Sequence, residues 1–186
     1  MRSLGLVCLL LAACGPGGDP QNSDLSRGPK HGANSGYDSG YDTSADASHV
    51  PTGPMLSMTP GALCTHPDEY RYPEHIAYCR RDVSTGTKAR IIAQYEQVFH
   101  FSVQTLGRQH FKIDHFIPLC MGGANDTSNL WPQYETIYPK TDPIEFRLCQ
   151  LMEEGHMTQA KAIEMIKDVK LHLEKADAMI QELGHE

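Results

Sequence analysis

The sequence lacks an excess of positive charge. Its 186 residues include 16 lysines and arginines against 23 aspartates and glutamates, a formal net charge of −7. Because basic side chains drive binding to the nucleic-acid backbone, this balance argues against a protein that binds nucleic acids by charge alone. The charge is uneven, however: residues 59–112 carry seven basic and five acidic residues, whereas residues 113–186 carry six and 13. The first of these segments is still able to provide a basic face for phosphates.

An apolar run long enough to span a bilayer, about 20 residues, is also missing from the sequence. Residues 4–11 form a shorter run after Arg2 and are typical of a secretory signal. The Leu-Ala-Ala-Cys that ends at Cys14 is similar to a bacterial lipobox, and it predicts a membrane anchor through an acylated Cys14. An Asp directly after the lipidated cysteine would favour retention in the inner membrane, but Gly15 stands there. We therefore expect an outer-membrane lipoprotein of the bacterial cell envelope that faces the periplasm. Ordinary signal cleavage nearby is the alternative.

Large apolar residues are scarce in residues 15–58, which are rich in Gly, Pro, Ser, Asp and Asn and repeat Ser-Gly-Tyr-Asp over residues 35–42. Such a segment buries too little apolar surface to offset the entropy lost on ordering. The sequence therefore predicts three parts: a lipoprotein signal peptide in residues 1–13, the lipidated cysteine and a flexible tether in residues 14–58, and a folded domain in residues 59–186.

Four of the six cysteines lie in this predicted domain. An even number of cysteines in an exported domain favours two disulfides. Three pairings are possible and the sequence does not decide between them, but we expect Cys64 to pair with Cys79 and Cys120 with Cys149. A zinc site that combines the first pair with a nearby histidine is the alternative, although its spacing matches no familiar zinc motif.

The densest pattern in the sequence is FKIDHFIPLCMGGANDTSNLWPQ, residues 111–133. Apolar residues around Asp114 and His115 predict a short strand, which a proline and two glycines end, and Asn129 opens a second apolar run. The pattern brings a carboxylate, an imidazole and an amide together. Asp114 is able to bind a hard divalent cation, and His115 is able to take a proton from water near neutral pH. A purely structural Asp–His hydrogen bond is the alternative.

At these residues the sequence resembles the HNH, or ββα-metal, nucleases. The Asp-His pair, the Ile-Pro-Leu and Gly-Gly after it, and the Asn-Leu-Trp-Pro-Gln of residues 129–133 carry the resemblance, which extends over about residues 59–170. It implies that Asp114 is a metal ligand, that His115 is the general base, and that Asn129 steadies the turn and the base. The fold it implies is α+β, with a small ββα-metal (HNH-like) unit embedded among helices, and mostly helical overall.

The residue that completes the metal site of these nucleases has no direct counterpart. It is normally a His or Asn on the helix after the second strand, and residues 134–142 contain neither. Asp142 is the best substitute, with Glu135 as a further candidate, because carboxylates suit Mg²⁺ and Mn²⁺. We expect a divalent metal ion, Mg²⁺ first, with Mn²⁺ or Zn²⁺ as alternatives. Asp142 followed by Pro143 and Glu145 is also typical of a helix N-cap, which we expect it to form.

Helical periodicity predicts the remaining elements. We expect one helix over residues 88–99 after a Ser/Thr cap, a second from Asp142 to near Gly155, and a longer one after Thr158. The apolar face of the last helix runs to Leu183 and includes Lys170.

No recognition module such as a zinc finger is visible in the sequence. The resemblance implies a metal-dependent endonuclease that cuts DNA, with RNA as a further candidate substrate, and the lack of such a module predicts little sequence preference. A non-catalytic nucleic-acid-binding or structural lipoprotein on the same fold is the alternative, and no protein partner is evident. Basic residues near the motif are candidates for phosphate contacts: Arg108, Lys112 and Arg90, with Arg80, Arg81 and Lys88 as further candidates.

Overall fold

The structure, a computed structural model, describes residues 49–184. These residues form a mixed α+β fold that is mostly helical, which confirms the expected fold class. In chain order the helices and strands are β1 (Glu69–Arg71), β2 (Ile76–Tyr78), α1 (Thr85–Phe99), α2 (Val103–Leu106), β3 (Phe111–His115), β4 (Leu130–Tyr134), α3 (Tyr138–Glu153), α4 (Gln159–Leu171) and α5 (Ala176–Leu183).

The motif forms an antiparallel hairpin of β3 and β4. Its register runs from Phe111 opposite Tyr134 to His115 opposite Leu130. The turn between the strands needs its glycines, because a Cβ at Gly123 would lie 1.8 Å from the carbonyl oxygen of Ile117. Helix α3 follows directly, so strand, strand and helix occur in the order that the sequence predicts.

Two apolar clusters hold the helices against this hairpin. The first cluster packs α1 against the hairpin and includes Trp131, Tyr95 and Phe116, each fully buried. The second cluster joins α3, α4 and α5 through residues such as Leu148 and Ile166. Ile117 and Met121, in the turn after β3, belong to the second cluster, so this end of the hairpin contacts both clusters.

The packed region begins before the predicted boundary at residue 59. Val50 is buried in the first cluster. The backbone N–H of Met55 donates to the hydroxyl of Tyr95 at 3.1 Å, and this hydroxyl also lies 2.7 Å from Oγ1 of Thr59. The composition of residues 15–58 predicts a tether as far as residue 58, but Met55 and Met58 also pack, partly buried, against the first cluster, whereas Leu56 is exposed.

The described part of the chain contains two disulfides, Cys64–Cys79 and Cys120–Cys149, and they confirm the expected pairing. The first lies beside the β1–β2 hairpin, and the second joins the turn after β3 to α3. Because Cys64 and Cys79 are bonded to each other, they are not free to act as the thiolate ligands of the alternative zinc site.

Helix α3 begins at Tyr138, so the expectation that Asp142 caps it is wrong. Pro139 occupies the second helical position, where its fixed φ favours a helix start. Pro143 then falls inside the helix and leaves the carbonyl of Pro139 without its helical donor, and both prolines are exposed where water is able to replace that bond. Asp142 therefore projects from the second turn of α3.

The two other helix caps follow the sequence more closely. Ser84 caps α1 by accepting from the N–H of Thr87 at 3.1 Å, and Thr158 caps α4 by accepting from the N–H of Lys161 at 3.3 Å. The single long helix expected after Thr158 is wrong, because α4 ends at Leu171 and α5 starts at Ala176. Between them the Asp168 side chain binds His172 and Lys175 and fixes a turn.

Within residues 49–184, no helix is both long and apolar enough to cross a membrane. The predicted signal, the acylated Cys14 and the repeat of residues 35–42 lie outside the described residues.

Candidate active site

His115 is the last residue of β3, and its ring is held from both nitrogens. The ring is buried, with 3% of the residue exposed. Its Nε2 lies 3.0 Å from Oδ1 of Asn125, whose Nδ2 donates to the carbonyl of Arg80 at 2.6 Å. Because this second bond fixes which end of the amide faces the ring, the network assigns the proton to Nε2 and leaves a lone pair on Nδ1.

The guanidinium of Arg81 lies in front of that lone pair. Its Nη1 is 3.3 Å from Nδ1 of His115, and its Nη2 donates to the carbonyl of Ile113 at 2.6 Å. A guanidinium anchored on one side still offers further donors to an anion, and it binds phosphate in a bidentate manner. The site therefore combines a proton acceptor with a donor group suited to phosphate.

The imidazole of His115 is neutral at pH 7. Burial is the main cause that lowers the pKa of His115 to about 4, and the charge of Arg81 acts in the same direction. The hydrogen bond to Asn125 and the charge of Asp114 oppose this shift without cancelling it. A neutral ring is the form that is able to accept a proton.

The depressed pKa of His115 predicts a loss of stability in mild acid. The unfolded chain binds a proton at His115 near pH 6.5, whereas the folded chain does so only near pH 4. The contribution is therefore complete above pH 6.5 and is lost as the pH falls towards 4, by roughly 3 kcal/mol. Urea unfolding between pH 7 and pH 4 measures it. Over this range the variant His115→Gln should lose about 3 kcal/mol less than the wild type. The same pH dependence in both proteins would contradict the low pKa of His115.

Asn129 ties the turn together and does not touch the imidazole. It is fully buried; its Oδ1 accepts from the N–H of Ile117 at 2.8 Å, and its Nδ2 donates to the carbonyls of Ile117 and Ala124 at 2.9 and 3.0 Å. Its expected part in steadying the turn agrees with these bonds. Asn125, which the sequence suggests only as part of a polar loop, orients the ring instead.

The variant Asn129→Ala should cost about 2–3 kcal/mol of folding stability, because the N–H of Ile117 and the carbonyl of Ala124 lose their partner in a buried turn. Urea unfolding of the disulfide-bonded protein measures the loss. Thr127→Ala, in the same turn, is the control and should change stability by less than about 0.5 kcal/mol. Equal stability of both variants would show that the turn does not depend on these bonds.

Asp114 is paired with a lysine from α4. Its Oδ2 lies 2.8 Å from Nζ of Lys170, which is fully buried and also donates to the carbonyl of His115 at 2.6 Å and to Oε2 of Glu145 at 3.3 Å. Burial raises the pKa of Asp114, but the charges of Lys170 and Lys112 outweigh it and hold this pKa below its usual value. Asp114 is therefore ionised and already bound to a cation.

Asp142, the second expected metal ligand, is bound to Lys112. Nζ of Lys112 lies 2.8 and 2.9 Å from the two carboxylate oxygens of Asp142 and 3.8 Å from Oδ1 of Asp114. The structure thus places an ammonium between the two carboxylates. Glu135 lies elsewhere, with its Oε2 2.9 Å from Nδ1 of His110.

These donors do not fit a divalent ion as they are arranged. Among residues 49–184, no group of three or more His, Cys, Asp or Glu side chains is placed to hold a metal. A metal ion at Asp114 would also lie beside the two ammonium groups that already bind this carboxylate. The expected Mg²⁺, Mn²⁺ or Zn²⁺ remains a prediction from the sequence.

Three of the basic residues singled out from the sequence lie apart from the ring. The guanidinium of Arg108 donates to the carbonyl of Phe111, Lys112 is paired with Asp142, and Arg90 is exposed on α1. Arg81, one of the further candidates, contacts the imidazole of His115. The sequence does contain a signal that Lys170 is buried, because it is a lysine in an otherwise apolar helical face.

Comparisons with family models, curated proteins and solved structures give no match for this chain. The resemblance to the HNH nucleases therefore rests on the motif residues alone. The geometry around His115 is the structural basis for a functional proposal.

Proposed function

We propose that the chain is an endonuclease that hydrolyses phosphodiester bonds in DNA, and in RNA as a second substrate, with His115 as general base. The observation that carries this proposal is the neutral imidazole of His115, whose Nδ1 faces the guanidinium of Arg81 at 3.3 Å. A base and a phosphate-binding group side by side meet the two local requirements of water attack on a phosphodiester.

The proposed reaction begins when a backbone phosphate attracts the guanidinium of Arg81 away from Nδ1. Arg81 then donates to a non-bridging phosphate oxygen, and a water molecule takes its place beside Nδ1. As the water oxygen bonds to phosphorus, His115 Nδ1 takes the water proton. The bond from phosphorus to the leaving sugar oxygen breaks, and this oxygen keeps the electron pair and gains a proton from solvent.

Two residues support the base in this scheme. Oδ1 of Asn125 accepts a hydrogen bond from Nε2–H of His115 and so keeps the lone pair on Nδ1. Arg81 stabilises the charge that develops on the phosphate oxygens, as a preorganised charged donor does. Little sequence preference is expected, because both groups contact the phosphate and not the bases.

The proposed location is the outer membrane, with the domain tethered in the periplasm through the acylated Cys14. This proposal depends on the lipobox-like residues 11–14 of the sequence. A tethered nuclease there would meet nucleic acid that enters from outside the cell.

The direct test incubates the purified, disulfide-bonded protein with supercoiled plasmid, single-stranded DNA and RNA. Nicked and then linear plasmid is the expected product, and its appearance marks an endonuclease. Intact substrate with a protein that circular dichroism shows to be folded would contradict the proposal. Slower migration of the DNA on a native gel without cleavage would instead support a nucleic-acid-binding protein. This is the second candidate function, because the guanidinium of Arg81 lies in front of Nδ1 of His115 in the free protein.

The variant Arg81→Ala tests the phosphate contact. It should lower kcat/KM about 10²-fold, because it removes one charged donor to the transition state. Arg71→Ala is the matched control, since the guanidinium of Arg71 is bound to Glu69 in β1. Equal kcat/KM for both variants in a plasmid-nicking assay would exclude Arg81 from the site.

A further inference from the structure

The ammonium of Lys170 lies in a shell of oxygen atoms. Oδ2 of Asp114 is 2.8 Å away, the carbonyl oxygen of His115 is 2.6 Å away and Oε2 of Glu145 is 3.3 Å away. Two carboxylates and one carbonyl are the ligand types that a hard divalent cation prefers. Lys170 itself is fully buried, so the ammonium is not one of the solvated lysines of the surface.

The charges of this cluster are already compensated. The ammonium of Lys170 forms ion pairs with both carboxylates, at 2.8 Å from Asp114 and 3.3 Å from Glu145. Lys112 adds a second ammonium 3.8 Å from Asp114. An additional divalent cation would therefore meet two positive charges at a carboxylate that already has a partner.

The position of Lys170 also connects the cluster to the base. Its bond to the carbonyl of His115 holds the backbone of the residue that carries the imidazole, and its bond to Glu145 links α4 to α3. A metal ion on Asp114 would bind at the same end of β3. The lysine thus supplies both the charge and the cross-link that an ion would provide there.

We propose that Lys170 is the resident cation of this site, and that its ammonium occupies the position on Asp114 and Glu145 in which a divalent metal ion would bind. The folded chain then binds neither Mg²⁺ nor Mn²⁺ at Asp114. The consequence for catalysis rests on the proposed function: cleavage at His115 proceeds in the presence of a chelator.

A Mn²⁺ titration of the purified protein, followed by electron paramagnetic resonance, tests the binding part without any substrate. The wild-type protein should have no Mn²⁺ site at Asp114, so the variant Asp114→Asn should bind as much Mn²⁺ as the wild type. The variant Lys170→Ala should gain Mn²⁺ binding, and Mn²⁺ should raise its melting temperature by several degrees, since the ion binds the folded state alone. Lys161→Ala, which removes an exposed lysine of the same helix, should behave as the wild type.

Two outcomes of these titrations would overturn this inference. The first is Mn²⁺ binding by the wild-type protein that Asp114→Asn abolishes, since the ion would then displace the ammonium. The second is a folded Lys170→Ala protein that gains no Mn²⁺ binding. If Lys170→Ala does not fold, Lys170→Gln takes its place, and the wild-type titration is decisive in either case.

The activity arm compares plasmid cleavage in excess EDTA with cleavage in Mg²⁺. Equal rates are expected. A rate that falls at least tenfold in EDTA and returns with Mg²⁺ would overturn the inference and leave the role of His115 intact. No cleavage in any condition would contradict the proposed function, whereas the Mn²⁺ titration would still decide whether Lys170 is the resident cation.

Discussion

A protein with His115 replaced by glutamine is expected to fold and to lose about 10²–10⁴-fold in cleavage rate, the usual contribution of a positioned general base. Glutamine keeps a polar side chain beside Asn125 but has no group that accepts a proton near neutral pH. The loss should appear in kcat as well as in kcat/KM, because the proton moves only in the transition state. Initial rates of plasmid nicking measure it.

His172→Gln is the matched control for this experiment. His172 is a half-exposed histidine that binds Asp168 at the end of α4, and its replacement should leave the nicking rate unchanged. Full activity of a folded His115→Gln protein would remove His115 from the mechanism. Similar losses in both variants would show that histidine replacement damages the protein without regard to the site.

Replacement of Lys170 by methionine is expected to cost about 3–5 kcal/mol of folding stability, the range for removing one partner of a buried ion pair. Methionine fills much of the same volume, so the loss comes from Asp114 and Glu145, which are left close together without a cation. Urea unfolding at pH 7 with the disulfides intact measures the free energy of unfolding. The loss should shrink in acid, because both carboxylates are then protonated and need no counter-charge.

Lys161→Met provides the control for that measurement. Lys161 lies on the same helix and forms an exposed pair with Glu164 at 3.2 Å, so its loss should change stability by less than about 1 kcal/mol. A change of similar size for Lys170→Met would contradict the buried, charged state of Lys170. Such a result would also weaken the inference that this ammonium stands in for a metal ion.

Features that depend on neighbouring residues were predictable from the sequence. The alternation around Asp114 and His115, the glycines after it and the caps at Ser84 and Thr158 each act within a few residues, and the structure has these elements where they were expected. The disulfide pairing was a choice among three and is confirmed.

The partners of the site residues were not predictable in the same way. Lys170 reaches Asp114 across 56 positions and Arg81 reaches His115 across 34, so their contacts depend on how the helices pack. A local pattern does not encode such a distance. The expected ligand Asp142 does not form a metal site with Asp114 for a related reason, because Lys112 of β3 is bound to its carboxylate.

The start of α3 shows how two local signals compete. Asp142, Pro143 and Glu145 form a good N-cap pattern, yet Pro139 starts the helix one turn earlier and the packing of Ile144 and Leu148 holds it there. Propensity at one position is a weak guide when burial along the whole helix favours a longer element.

The most direct test of the central claim is the origin of the oxygen in the cleaved product. A short DNA duplex is incubated with the purified protein in H₂¹⁸O, and the product ends are weighed by mass spectrometry. If His115 activates the attacking water, each new terminal phosphate contains one ¹⁸O atom. The variant His115→Gln should form almost none of this labelled product in the same time. Intact DNA with the folded wild-type protein, or equal ¹⁸O incorporation by both proteins, would contradict the proposed mechanism.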